Sequence, residues 1–97
     1  MSYRLSSDAD LDLFAIALES WERYGKAQAD RYRASLLATF DLLARHPELA
    51  RLRTELHPPI RVHPHSPYLI FYDVLEDRTV LIQRIRHHAE DWLSGYG

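Results

Sequence analysis

Arginine and histidine are the side chains of this chain best equipped for chemistry, and the histidines crowd into its second half. Residues 51–97 hold six Arg and five of the six His. His63 and His65 stand two apart, a spacing that puts both on one face of a strand, while His57, His87 and His88 lie in flanking positions. Metal binding is the first chemistry to weigh. Pro64 interrupts the pair, no Cys or well-spaced carboxylate accompanies it, and adjacent His87 and His88 on a strand point to opposite faces. The reading is that no metal is held and no cofactor is required.

Metal-free RNA cleavage is the second chemistry. It needs a base for the 2′-hydroxyl, an acid for the leaving oxygen and fixed cations for the crowded phosphate. Arg61, Arg84, Arg86, His87 and His88 supply those types. In a regular strand Arg84, Arg86 and His88 share a face with Val80 and Ile82, so the arginines extend an apolar stripe into a polar end. The competing reading is of solvated strand-end residues paired with Glu90 or Asp91. Twelve Lys+Arg against fourteen Asp+Glu give a formal charge of -2, which offers RNA no electrostatic funnel. No catalytic residue is assigned. Arg61, Arg84, Arg86 and His87 stay as candidates for contacting a target or RNA.

Protein recognition is the third possibility. Tyr68, Tyr72, Trp92 and Tyr96 place aromatic surface near the C-terminal strands, some of it finishing the core and some left over. Trp21 and Tyr32 read as core or helix-hairpin packing.

Two helices and a small sheet must position these groups. Tyr3-Arg4-Leu5 alternates, and Ser7 with Asp10 three residues on resembles a capping box, so a helix is expected over 8–24. Leu11, Phe14, Ala15, Leu18 and Trp21 recur at steps of three and four, and Gly25 suits the left-handed position that ends such a helix. The pattern restarts through Ala29, Tyr32, Leu36, Phe40 and Leu43 until Pro47 displaces His46 from helical geometry, which predicts a second helix over about 26–45. With only Gly25 between them, the two fold back as an antiparallel hairpin.

Residues 47–59 hold three prolines and read as a connector with at most one helical turn. The period then changes to two: 60–63, 68–75 and 79–87 read as three strands of an antiparallel meander, the middle one the most buried. The helical hairpin covers one face of this sheet, and 89–93 can add a helical turn. The expectation is one α+β domain over 1–97. Its core should contain Leu11, Phe14, Leu18, Leu36, Phe40, Leu69 and Phe71.

Composition narrows the function classes. Ninety-seven residues with 46% apolar and 11% aromatic side chains make one core and exclude two independent domains. The charge balance disfavours a general nucleic-acid binder, and sequence-specific nucleic-acid binding is not expected. The absence of Cys fits a reducing cytoplasm. Apolar runs of a few residues fall far short of a membrane span, and Met1-Ser2-Tyr3-Arg4 begins no signal peptide, so the expectation is a cytoplasmic protein without membrane contact.

In this order the segments resemble the ParE branch of the RelE/ParE toxin superfamily of bacterial type II toxin-antitoxin modules. The resemblance is carried by Tyr3-Arg4-Leu5-Ser6 leading into Ala9-Asp10-Leu11-Asp12-Leu13, by Tyr24-Gly25-Lys26-Ala27-Gln28-Ala29 and by Leu43-Ala44-Arg45-His46-Pro47-Glu48-Leu49-Ala50-Arg51. Ile70-Phe71-Tyr72 and the run from Ile82 to Leu93 complete it, so nearly the whole chain takes part. The resemblance implies a toxin made with a ParD-like antitoxin of the same operon and directed at DNA gyrase, as in plasmid stabilization systems. RelE-like relatives instead cut messenger RNA on the ribosome with Lys, Arg and a C-terminal Tyr or His. Here Arg61 and Arg84 match basic positions while the Lys-rich stretch is absent, which favours ParE. A ribosome-dependent mRNA interferase and a non-toxic binding module on the same scaffold are the alternatives.

A disordered antitoxin must be offered an apolar groove, because ordering each residue costs about 1–2 kcal/mol. The expected contact surface is the exposed rim of the two helices with the first strand, Tyr3, Arg4 and Leu5. Arg4, Arg31 and Arg33 would pair with acids of the antitoxin.

Overall fold

Ser6 sets the frame of the N-terminal third. The computed structural model describes residues 2–89; the expected turn at 89–93 therefore lies almost wholly outside the described residues, as do Trp92 and Tyr96. Strand β1 (Tyr3–Leu5) runs parallel to the last strand, β5 (Val80–His87), with Tyr3 beside Val80 and Leu5 beside Ile82. Ser6 follows in extended conformation. Its amide donates to the Ile82 carbonyl at 2.9 Å, and its hydroxyl donates to the Gln83 carbonyl at 2.7 Å while accepting from the Ala9 amide at 3.0 Å. Helix α1 therefore spans Ser7–Tyr24 with Ser6 as its N-cap, one residue ahead of the expected Ser7–Asp10 box, because Ser6 is the residue still extended at the strand end. Asp8 and Asp10 sit in the first turn, where negative charge is favoured.

Gly25 ends α1 with φ +86° and ψ 172°, and its amide donates to the Trp21 carbonyl at 2.8 Å. That conformation is open to glycine and strained for other residues. Helix α2 (Lys26–Arg45) begins at once, and the two helices pack on each other as the hairpin requires.

The expected meander is present as β3 (Ile60–His65), β4 (Tyr68–Val74) and β5, all antiparallel. Two strands extend it into a mixed sheet of order β1-β5-β4-β3-β2. One is β1. The other is β2 (Leu52–Arg53), formed inside the proline-rich connector, which was read as irregular with at most one helical turn, and paired with β3.

Apolar residues cover both faces of the sheet. On the helix side Ile70, Tyr72, Val80, Ile82 and Ile85 meet Ala9, Leu13, Ile16, Leu36, Phe40 and Leu43. On the far side Ile60, Val62 and Phe71 pack with Leu56 of the connector, and Leu69 lies at that cluster's edge. The continuous run Ile70-Phe71-Tyr72 is buried because it feeds both layers.

Leu36, Phe40 and Phe71 are core residues as expected, and Leu69 is partly buried. Leu11, Phe14 and Leu18 are not: they are 66%, 68% and 48% exposed, and Trp21 is 57% exposed. Helix α1 carries two apolar stripes on opposite sides, and the smaller one, Ala9-Leu13-Ile16, faces the sheet. Ser6, pinned to β5, fixes the rotation of the helix and turns the larger stripe outward. Among the described residues no helix is long and apolar enough to cross a membrane.

Candidate functional site

A bulge in β5 decides where its cations go. Ile85 stands opposite Ile70 and Arg84 opposite Phe71, but Ile82 is opposite Tyr72, so Gln83 is the extra residue. The alternation shifts there. Ile85 takes the helix side, while Arg84 and Arg86 fall on the far side with Phe71 and Leu69, not with Val80 and Ile82 as a regular strand requires.

Beyond Leu5 the edge of β5 loses its partner strand and α1 runs past it. Asp12 fills the gap: its carboxylate accepts from Arg84 Nε at 2.8 Å, from Arg84 Nη2 at 3.1 Å and from the Ile85 amide at 2.9 Å. This two-pronged, partly buried pair joins residues 72 apart in sequence and locks α1 to β5.

Arg61 lies opposite Tyr72 and so on the helix side. It donates to the Ala50 carbonyl at 2.6 Å. The Tyr72 hydroxyl, whose pKa burial raises, donates to the Pro47 carbonyl at 2.9 Å and accepts from the Ala50 amide at 3.2 Å. Arg61 and Tyr72 together hold the connector down.

His87 stands opposite Tyr68, with the rings edge-on at 5.5 Å, and its Nδ1 accepts from the Ala89 amide at 3.0 Å. The four candidates thus form no single constellation. Arg61 and His87 are on the helix side at different strands, while Arg84 and Arg86 are on the far side.

His63 and His65 do share a face. His65 sits against α2 between the hydroxyls of Ser35 and Thr39, each at 3.1 Å, and burial lowers the pKa of both histidines. Among the described residues no group of three or more His, Cys, Asp or Glu is placed to hold a metal.

A cavity of about 290 Å³ opens between the end of α1, the start of α2 and the ends of β4 and β5, lined among others by Glu19, Arg23, Tyr24, Tyr32, Tyr68 and His87. Burial and the neighbouring Tyr68 push the Tyr32 hydroxyl up to about 12, and it donates weakly to the His65 and Ser66 carbonyls at 3.5 and 3.4 Å.

The residues expected to meet an antitoxin are also separated. Tyr3 and Leu5 turn toward the helices, Tyr3 edge-on to Phe40 at 5.5 Å, while Arg4 is exposed on the outer strand. Arg31 is exposed and donates to Gln28 at 2.7 Å. Arg33 borders a shallow depression with Asp10, Leu13, Phe14 and Ala17. It is therefore the candidate that lies beside the exposed stripe of α1, which sequence reasoning had assigned to the core. The available signal was a second apolar series, Ala9-Leu13-Ile16, in the same helix.

Residues 3–92 match the family described as the ParE toxin of the type II toxin-antitoxin system, parDE. Toxin ParE1 of Mycobacterium tuberculosis H37Rv is 29% identical over 89 residues, covering 92% of this chain and 91% of the relative. Toxin ParE1 of Caulobacter vibrioides is 35% identical over 72 residues, covering 74% and 75%. A solved structure titled chromosomal ParDE TA system from P. aeruginosa superposes with a TM-score of 0.76 at 20% identity, over 90% of this chain and 95% of that one, and shares the fold.

Proposed function

The chain belongs to the ParE toxin family of type II toxin-antitoxin systems, and from that premise we propose that it poisons cells by binding DNA gyrase and is neutralised by a ParD-like antitoxin. The observation that carries the reading is the dispersal of the cations. RNA cleavage calls for acid, base and cations converging on one phosphate, whereas Arg61 and Arg84 lie on opposite faces and serve the Ala50 carbonyl and the Asp12 carboxylate. The exposed apolar face of α1 supports action through a surface. In this reading residues 1–97 act as one toxin unit in the cytoplasm, where gyrase works.

The antitoxin is proposed to run along the outer strand β1, with Arg4, Arg31 and Arg33 meeting its acids. The test is induction of the toxin alone and together with the antitoxin of the adjoining reading frame. Growth should stop with filamentation and an SOS response in the first case and continue in the second. Arrest without SOS, accompanied by messenger RNA cut in the ribosomal A site, contradicts the proposal.

A further inference from the structure

We propose that Ser35 is an activated nucleophile that accepts an acyl group from activated esters, with His65 as its general base and Thr39 as the residue that positions His65. The toxin reading uses none of these three side chains.

The directions of their hydrogen bonds follow from counting protons. Thr39 Oγ1 lies 3.1 Å from the Ser35 carbonyl, and a carbonyl only accepts, so the single hydroxyl proton of Thr39 is committed there. Toward His65 Nδ1, also at 3.1 Å, the same oxygen must then accept, which puts the ring proton on Nδ1. A neutral imidazole carries one ring proton. Nε2 therefore presents its lone pair to Ser35 Oγ at 3.1 Å, and the Ser35 hydroxyl donates to it. Burial, with His63 nearby, keeps the ring neutral by lowering its pKa from 6.5. The other titratable groups around the ring are Tyr32 of α2, whose hydroxyl stays protonated up to about 12, and Tyr68 of β4 opposite His65. Hydroxyl, base and orienting group stand in sequence, the arrangement that activates a serine. Ser35 and Thr39 are one turn apart on α2, and His65 reaches them from β3.

Access and charge identify the reactant. Ser35 is exposed while His65 and Thr39 are half-buried, so the reactive oxygen faces solvent with its base held behind it. The groups around it, Tyr32, Thr39, His63 and His65, carry no fixed charge, and Arg31, one turn earlier, donates to Gln28. Phosphoryl transfer calls for cations on the transferred group, so this setting suits a neutral carbonyl instead. Ser35 also lies inside α2, where the backbone amides donate to helical carbonyls and cannot cradle an oxyanion. Reaction is therefore confined to esters with a good leaving group, and the acyl-serine persists. In the step, a bond forms between Ser35 Oγ and the carbonyl carbon, and the ester bond breaks with its electron pair on the leaving oxygen. The Ser35 proton passes to His65 Nε2 and from there to the leaving oxygen or to water.

The test uses the purified full chain and p-nitrophenyl acetate at neutral pH. A burst of p-nitrophenolate approaching one equivalent per chain should leave an acetyl group that peptide mass mapping places on Ser35. Ser35→Ala, which an exposed helical position accepts, should remove the burst and leave the slow turnover common to surface imidazoles. His65→Gln should slow acylation at least about a hundredfold. Thr39→Val should slow it and Thr39→Ser restore it. The rate should be level at neutral pH and fall below pH 6.5 as His65 takes up a proton, a profile that His65→Gln lacks. Circular dichroism of each variant separates lost chemistry from lost fold. A burst that survives Ser35→Ala, an acetyl group found only on Lys26 or the amino terminus, or no burst from the folded chain overturns the proposal. Gyrase and antitoxin take no part in the assay, so its outcome stands apart from the toxin reading.

Discussion

Asp12 and Arg84 make the most consequential polar contact between the helices and the sheet. The carboxylate satisfies a guanidinium and a backbone amide together, so Asp12→Ala leaves both without that partner in a half-buried site. A loss of about 2–3 kcal/mol is expected by urea denaturation. His65 gives a pH-dependent counterpart. Burial, with His63 nearby, lowers its folded pKa below the ordinary 6.5, so the unfolded chain binds more protons as pH falls through that value. Stability present above pH 6.5 should therefore decline as pH drops from there toward the folded pKa. Denaturation curves collected across that range should show a shallower decline in His65→Gln. The arginines were legible as chemistry-bearing residues, but their partners were not: a backbone carbonyl in an irregular connector and an acid 72 residues away leave no spacing to read.

Periodicity located both helices to within a residue but could not choose the buried side of α1. Two apolar stripes compete there, and the larger points outward because the strand before the helix pins Ser6 to β5. Leu13→Ala should cost about 2–4 kcal/mol, since Leu13 is almost fully buried, whereas Phe14→Ser should stay within about 0.5 kcal/mol. Equal losses in thermal or urea unfolding would contradict the assignment of faces. Gly25→Ala should cost about 1–3 kcal/mol even though nothing lies within 4 Å of an added Cβ, because the penalty is in its backbone conformation. The bulge at Gln83 was equally hidden. A regular alternation puts Arg84 with Ile82, and one extra residue moves it to the opposite face.

The molecule as a whole is a helical hairpin on one face of a mixed sheet whose other face is partly covered by the connector. Its three long strands were legible because continuous β-branched and aromatic runs need many residues to stand out. β2, with two residues, is made by pairing and carries almost no signal of its own, whereas β1 was legible as the alternating Tyr3-Arg4-Leu5 ahead of the first helix, though not its parallel pairing with β5. The same architecture spreads the cations over two faces and leaves an apolar helix face in solvent, which argues for action by binding. Gyrase supercoiling with purified full-length chain tests that claim most directly. Supercoiling should fall as toxin is added, with cleaved DNA trapped on gyrase, and should recover when the antitoxin is supplied. Supercoiling unchanged by excess toxin, alongside ribosome-dependent RNA cleavage that Arg84→Ala abolishes without unfolding the chain, would contradict it.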